Sequence, residues 1–197
     1  MSAETPLLGR NALVLGVERT AGRIAAVALA EAGANVAVVT ISEDTKAEFA
    51  ANSTANEFWA LGRKGIALTS DGRETTVAEA IADATAELGA ISILVWHAPH
   101  PLAREAIVGL RSDPAVVVLV GNDAAPEDAR ALLGWARELA DGGLRANALV
   151  VSRRTAVAIG PSLKEHHATS QMDVASGVVY LASDASAAIE GAVLVAE

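Results

Sequence analysis

The chain has 197 residues, 52% apolar but only 3% aromatic, with a formal charge of −9 and no cysteine. This length can bury one substantial core and forces no second domain, so a single domain over residues 1–197 is expected. The acidic balance, without a basic stripe, argues against nucleic acid as a main partner, and the lack of cysteine removes disulfides, thiolate catalysis and Cys-ligated zinc.

Few aromatics mean a core of Ala, Val, Leu and Ile, the composition of a sheet covered by Ala-rich helices. Met1 to Arg10 has no apolar stretch of signal-peptide type, and no later apolar run could span a bilayer. A soluble cytoplasmic protein is therefore expected, with no membrane contact.

In chain order, Asn11–Leu15 is an apolar run that breaks at Gly16, and Ile24–Ala32 follows after Gly22 with helical spacing. Strand, tight turn and helix are predicted. Ala34–Thr40 reads as a second strand. Ser42–Leu61 follows as a helix with Ser42 as its candidate N-cap, and Gly65–Thr69 as a third strand. Arg73–Leu88 is a helix with Val77, Ile81, Ala84 and Leu88 on one stripe, and Ile91–Trp96 a fourth strand. Pro101–Leu110 is predicted as a short helix, Ala115–Val120 as a strand, and Pro126–Ala140 as a helix with Pro at its first position. Leu144–Val151 is a sixth strand, Ser152–Ser170 a polar loop, Met172–Ser183 a last helix and Gly191–Ala196 a closing strand. The strands are nearly continuous apolar runs alternating with helices. That predicts an α/β fold with a doubly wound parallel sheet of about seven strands, Rossmann-like, with helices on both faces.

The first turn decides whether a nucleotide is expected. Such a turn offers backbone N–H groups and a helix N-terminus to a pyrophosphate, and its glycines bend the chain, admit the phosphate and let helix pack on strand. Gly16 suits the bend and Gly22 the packing. Thr20 stands where the phosphate-facing glycine is needed, and its branched Cβ crowds that place. Glu18 adds a negative charge, which Arg19 could offset, or Arg19 could grip a 2′-phosphate.

The chain resembles the short-chain dehydrogenase/reductase family along nearly its whole length. The resemblance is carried by Leu15-Gly-Val-Glu-Arg-Thr-Ala-Gly-Arg23, Thr69-Ser-Asp71, Ile93-Leu-Val-Trp-His-Ala98, Gly143-Leu-Arg-Ala-Asn-Ala148, Tyr180-Leu-Ala-Ser-Asp-Ala185 and Ile189-Glu-Gly-Ala-Val-Leu194. It implies the family's fold and a dinucleotide cleft, with Gly16, Arg19, Gly22 and Asp71 as vestigial cofactor-binding positions. It does not imply the family's chemistry. That chemistry uses a Tyr to move the hydroxyl proton, a Lys four residues later and a Ser that orients the carbonyl. The only tyrosine, Tyr180, is followed at that spacing by Asp184. Counting back from Gly134 places the family's Tyr at Ala125 and its Lys at Ala129.

Other departures agree. Val151-Ser152 replaces a Pro-Gly turn, Trp96 and His97 replace two asparagines of the cleft, and Pro99 replaces a glycine. The Trp96 indole is expected to fill part of that cleft, and the connection from Ala98 to Ala115 is too short for the family's long helix.

Asp71 reads either as the adenine contact or as an ordinary turn residue before a helix. Thr40 ends strand two where an NAD binder supplies an acid, which disfavours NAD and leaves NADP through Arg19. Glu43 and Asp44 fit a helix first turn. His97, His100, His166 and His167 could form a metal site only if their segments meet, and none is expected. Arg153, Arg154 and Lys164 make the one locally basic stretch, and Trp135 suits a core or a subunit contact. No catalytic residue and no metal are expected, and no cofactor is required, NADP being the possible one. The expected function is an inactive homologue serving as a structural or regulatory subunit. It would pair with itself or with an active family member through the C-terminal helix and strand, as relatives do. The alternative is an NADP(H)-binding sensor, or an NADP-dependent oxidoreductase with relocated acid/base residues.

Overall fold

The computed structural model describes residues 5–99, 107, 114–122, 124–151 and 174–196. Its strands are β1 (Asn11–Leu15), β2 (Asn35–Val39), β3 (Gly65–Leu68), β4 (Ile93–Trp96), β5 (Ala115–Val120), β6 (Arg145–Val151) and β7 (Val193–Ala196). Its helices are α1 (Thr20–Glu31), α2 (Thr45–Ala60), α3 (Glu74–Leu88), α4 (Pro126–Asp141) and α5 (174–182). All seven strands are parallel, in the order β3-β2-β1-β4-β5-β6-β7.

Both faces are covered, as the unbroken apolar strands require. Strand side chains alternate between two cores. Ala12, Val14, Ile93 and Val95 pack with α1, α2 and α5, whereas Leu13, Leu15, Leu94 and Trp96 pack with α3 and α4. Burial of every residue of β4 and β5 is what fixes the sheet as interior, at roughly 25 cal/mol per Å² of apolar surface.

Local chemistry sets the helix ends. The α2 cap is Asp44, not Ser42: Asp44 Oδ1 accepts the N–H groups of Lys46 and Ala47 at 2.9 and 2.8 Å. Ser42 instead donates its hydroxyl to Asp44 Oδ2 at 2.7 Å, steadying the cap from outside the helix. α4 opens with Pro126 and carries Glu127 and Asp128 in its first turn, where acids favour the dipole.

The C-terminal end of α5 is held by two arginines. Arg145 Nη1, from buried β6, donates to Ser183 O at 2.7 Å, and Arg10 pairs with Asp184 while reaching Ala182 O at 3.4 Å. Asn147 ties the approach to β7, accepting the Ala192 N–H at 2.9 Å and donating to Ile189 O at 2.9 Å.

The short helix expected over Pro101–Leu110 lies outside the described residues except for Ile107, which is buried. Among the described residues no helix is long and apolar enough to cross a membrane.

Candidate functional site

In an open parallel sheet, ligands bind beyond the carboxyl ends of the strands where the strand order reverses. Here that point lies between β1 and β4, whose last residues, Leu15 and Trp96, are paired. Gly16 and His97 follow them directly.

Gly16 has a φ of +78°, and a Cβ there would sit 2.1 Å from the His97 carbonyl oxygen. Its N–H donates to Val39 O at 2.8 Å. Gly22 lies in the first turns of α1, and a Cβ there would meet Gly16 O at 2.2 Å. Both glycines are therefore required by backbone packing within the chain. Thr20, in the place of the phosphate-facing glycine, is the first residue of α1 and is exposed. Arg19 precedes it in the N-cap position without a side-chain cap, and it lines both a groove of about 570 Å³ along α1 and the cleft beyond β4.

At the end of β2, Thr40 is fully buried and donates its hydroxyl to Ser42 O at 3.0 Å. The Ile41 N–H donates to Glu18 Oε1 at 3.3 Å, so the Glu18 side chain has crossed from the first turn to the second strand. Burial pushes the Glu18 carboxyl up, a shift that its own N–H and that of Ile41 oppose.

Asp71, which the sequence offers as an adenine contact or a turn residue, bonds to Arg73 and to Thr76 of α3. Its Oδ1 accepts the Thr76 hydroxyl at 2.6 Å and the Arg73 N–H at 2.9 Å, and its Oδ2 pairs with Arg73 Nε. The Thr76 hydroxyl, then the Arg73 N–H, hold its carboxyl below the usual range. The bond to the Arg73 N–H two residues on is that of a turn residue before a helix.

The cleft beyond β4 and β5 has a volume of about 150 Å³ and is lined by Arg19, His97, Pro99, Leu119, Ala125 and Asp128 among others. His97 is 3% exposed, and its Nδ1 lies 3.2 Å from Leu119 O. Trp96 does not line this cleft. It is buried in the core beneath α4, its ring 5.4 Å from that of Trp135 in an edge-to-face arrangement. The strand alternation explains the difference: consecutive residues cannot both point to the same face. Trp135 is thus core.

Among the described residues no group of three metal-ligating side chains is close enough to hold an ion. His100, His166, His167, Arg153, Arg154 and Lys164 lie outside the described residues.

No protein-family model matches the sequence, and the search of curated proteins gave no match. Solved structures do match. A candidate short-chain alcohol dehydrogenase from Sinorhizobium meliloti is 25% identical over 99% of this chain and 97% of its own, with a TM-score of 0.77. Pseudomonas aeruginosa RhlG, in an active-site complex with NADP, is 25% identical over 99% and 97%, with a TM-score of 0.75. A Mycobacterium paratuberculosis short chain dehydrogenase bound to NAD is 21% identical over 96% and 97%, with a TM-score of 0.71.

This chain has the short-chain dehydrogenase/reductase fold. Within that fold the two positions implied for the acid/base pair open α4: Ala125 is its N-cap and lines the cleft, and Ala129 is half-buried against the core. A methyl group moves no proton. What the cleft wall does carry is Asp128 and His97, the first on the initial turn of α4 and the second against the β5 carbonyl. Asp128 is visible in the sequence only as a first-turn acid, since nothing local shows that the turn borders a cleft.

Proposed function

We propose that this chain is a non-catalytic protein of the short-chain dehydrogenase/reductase fold, acting in the cytoplasm as a structural or regulatory subunit. The observation that carries the reading is the α4 opening, where alanines stand at both acid/base positions beside a cleft of about 150 Å³.

The surface supports a subunit role. β7 is the last strand of the sheet, and Val193 and Val195 are 49% and 60% exposed on one of its faces. Among the described residues β7 is paired on one side only, and a strand edge with outward valines is a template for pairing unless something covers it. We assign that edge to a second copy of the chain or to an active subunit of the same fold. An isologous contact of this kind admits either, because the two surfaces are alike.

The alternative, an NADP(H)-binding sensor or an oxidoreductase with relocated groups, would have to use Arg19 and His97. His97 is buried and its Nδ1 faces the Leu119 carbonyl, which disfavours it as a mobile acid/base group.

Hydride transfer tests the reading. Purified protein is mixed with NADH or NADPH and a panel of carbonyl compounds, and the reverse reaction is followed with alcohols. The expected result is no protein-dependent change in the nicotinamide absorbance. A saturable, protein-dependent rate with any member of the panel overturns it.

A further inference from the structure

Glu18 has no role in the reading above, yet its geometry is specific. The side chain leaves the β1–α1 turn, crosses to β2 and takes the Ile41 N–H on Oε1 at 3.3 Å. Its second oxygen, Oε2, is buried and accepts no hydrogen bond among the described residues. A buried, unpartnered carboxylate oxygen costs free energy, and such groups in a folded protein call for an explanation.

The end of β2 is where a dinucleotide-binding fold reads the adenosine ribose, by an acid on its hydroxyls or a cation on a 2′-phosphate. Here β2 itself supplies neither group, and the acid and the cation at its end, Glu18 and Arg19, both come from the β1–α1 turn. Thr40 is buried and committed to Ser42 O, so no acid projects from the strand itself. The groups whose charge acts on Glu18 are Arg19, which favours its ionised form, and Asp44, which opposes it. A 2′-phosphate placed here would meet two carboxylates, Glu18 and Asp44, against the single cation Arg19, and the Ile41 N–H is already taken.

We propose that Glu18 is a built-in stopper of the ribose end of the fold's dinucleotide crevice. It fills the position by shape and repels a 2′-phosphate by charge, so the chain discriminates against dinucleotides and most strongly against NADP(H). The proposal concerns binding, and it stands or falls separately from the loss of catalytic groups.

The test is calorimetric titration of the wild type, Glu18→Gln and Glu18→Ser with NADPH and with NADH, circular dichroism and cooperative melting having shown each protein to be folded. The wild type is expected to give no saturable binding up to about 1 mM. Glu18→Ser removes both bulk and charge, and is expected to bind NADPH at least about tenfold more tightly than the wild type, on the scale of like-charge penalties at interfaces. Glu18→Gln keeps the shape and is expected to improve NADPH more than NADH. Micromolar binding of NADPH by the wild type would overturn the proposal, and so would a folded Glu18→Ser protein that binds no better than the wild type. Binding by the wild type without turnover would leave the subunit reading standing, whereas turnover would remove it.

Discussion

Gly16 and His97 meet backbone to backbone across the reversal of strand order, so closely that a Cβ on Gly16 would lie 2.1 Å from the His97 carbonyl oxygen. The contact joins β1 to β4 at the mouth of the crevice and leaves no room for a side chain. Gly16→Ala therefore combines a positive φ of 78° with a backbone clash, and roughly 2–5 kcal/mol of destabilisation is expected. Gly22→Ala, aimed at Gly16 O, belongs in the same range. Thr20→Gly, at the exposed first position of α1, is expected to cost no more than about 1 kcal/mol. Urea denaturation of the three variants without nucleotide checks this ordering. A near-neutral Gly16→Ala would mean that the glycine serves a ligand and not the fold.

Arg145 offers a second test, because the charge buried on β6 is compensated by the carbonyl end of α5 and not by a carboxylate. Arg145→Met removes the charged donor from Ser183 O and Ala182 O, leaving them the Ser186 hydroxyl and Arg10 Nη1. A loss of roughly 2–4 kcal/mol is expected from unmade charge-assisted bonds, read from the urea midpoint at constant slope. An unchanged midpoint would show that the clamp does not hold α5.

These two cases also indicate what the sequence could reveal. Two of the segments that resemble the family, 143–148 and 180–185, contain Arg145, Asn147, Ser183 and Asp184; the first three make bonds that hold α5 and β7 to β6, and Asp184 pairs with Arg10. They are legible because they are fold-bearing. The parallel sheet was equally legible, since strands buried on both faces must be apolar throughout. The course of the Glu18 side chain was not. Its contact with Ile41 spans 23 positions and depends on the two strand ends lying side by side. The Trp96 position could have been read from alternation, given that Ile93 and Val95 face α1 while Leu94 and Trp96 face α4. Asp44 and not Ser42 caps α2 because the helix begins at Thr45, which puts the Lys46 and Ala47 N–H groups within reach of Asp44 Oδ1.

Acid titration of stability should separate two kinds of carboxylate. The Ala47 N–H, then the Ser42 hydroxyl, hold Asp44 below its ordinary range, and Asp71 is lowered likewise by Thr76 and Arg73. Their contributions are present above the unfolded value of about 3.9 and are lost as pH falls through the lower folded values. Glu18, pushed up by burial, acts in the opposite sense. Its penalty is full above its folded value and is relieved as pH falls toward the unfolded value of about 4.3. Melting temperatures from pH 3 to 8 are therefore expected to show a shallower acid-side loss for Asp44→Ala than for the wild type, as a change in slope. Glu18→Gln is expected to gain stability near neutral pH, relative to the wild type, and to lose that advantage below about pH 4. A Glu18→Gln profile parallel to the wild type throughout would contradict the burial of that carboxylate.

Tryptophan emission reports the placement of the indoles. Trp59 on α2 is 65% exposed, whereas Trp96 and Trp135 are 2% and 6% exposed and stacked edge to face. Acrylamide is expected to quench Trp59 and to leave a protected fraction, and Trp59→Phe should remove the accessible fraction. Trp135→Ala is expected to cost roughly 3–5 kcal/mol through the cavity left against Trp96. Full accessibility in the Trp59→Phe protein would contradict the core position of the pair.

The central claim, a subunit that acts through its edge, is tested most directly by native mass spectrometry of the full chain isolated from its own cells, alongside a Val195→Asp variant. The account predicts an assembly of two or more subunits of this fold for the wild type, and its loss in the variant, since a charge on the outward face of β7 opposes burial there. A wild type recovered only as a monomer, with no partner at any concentration, would contradict it.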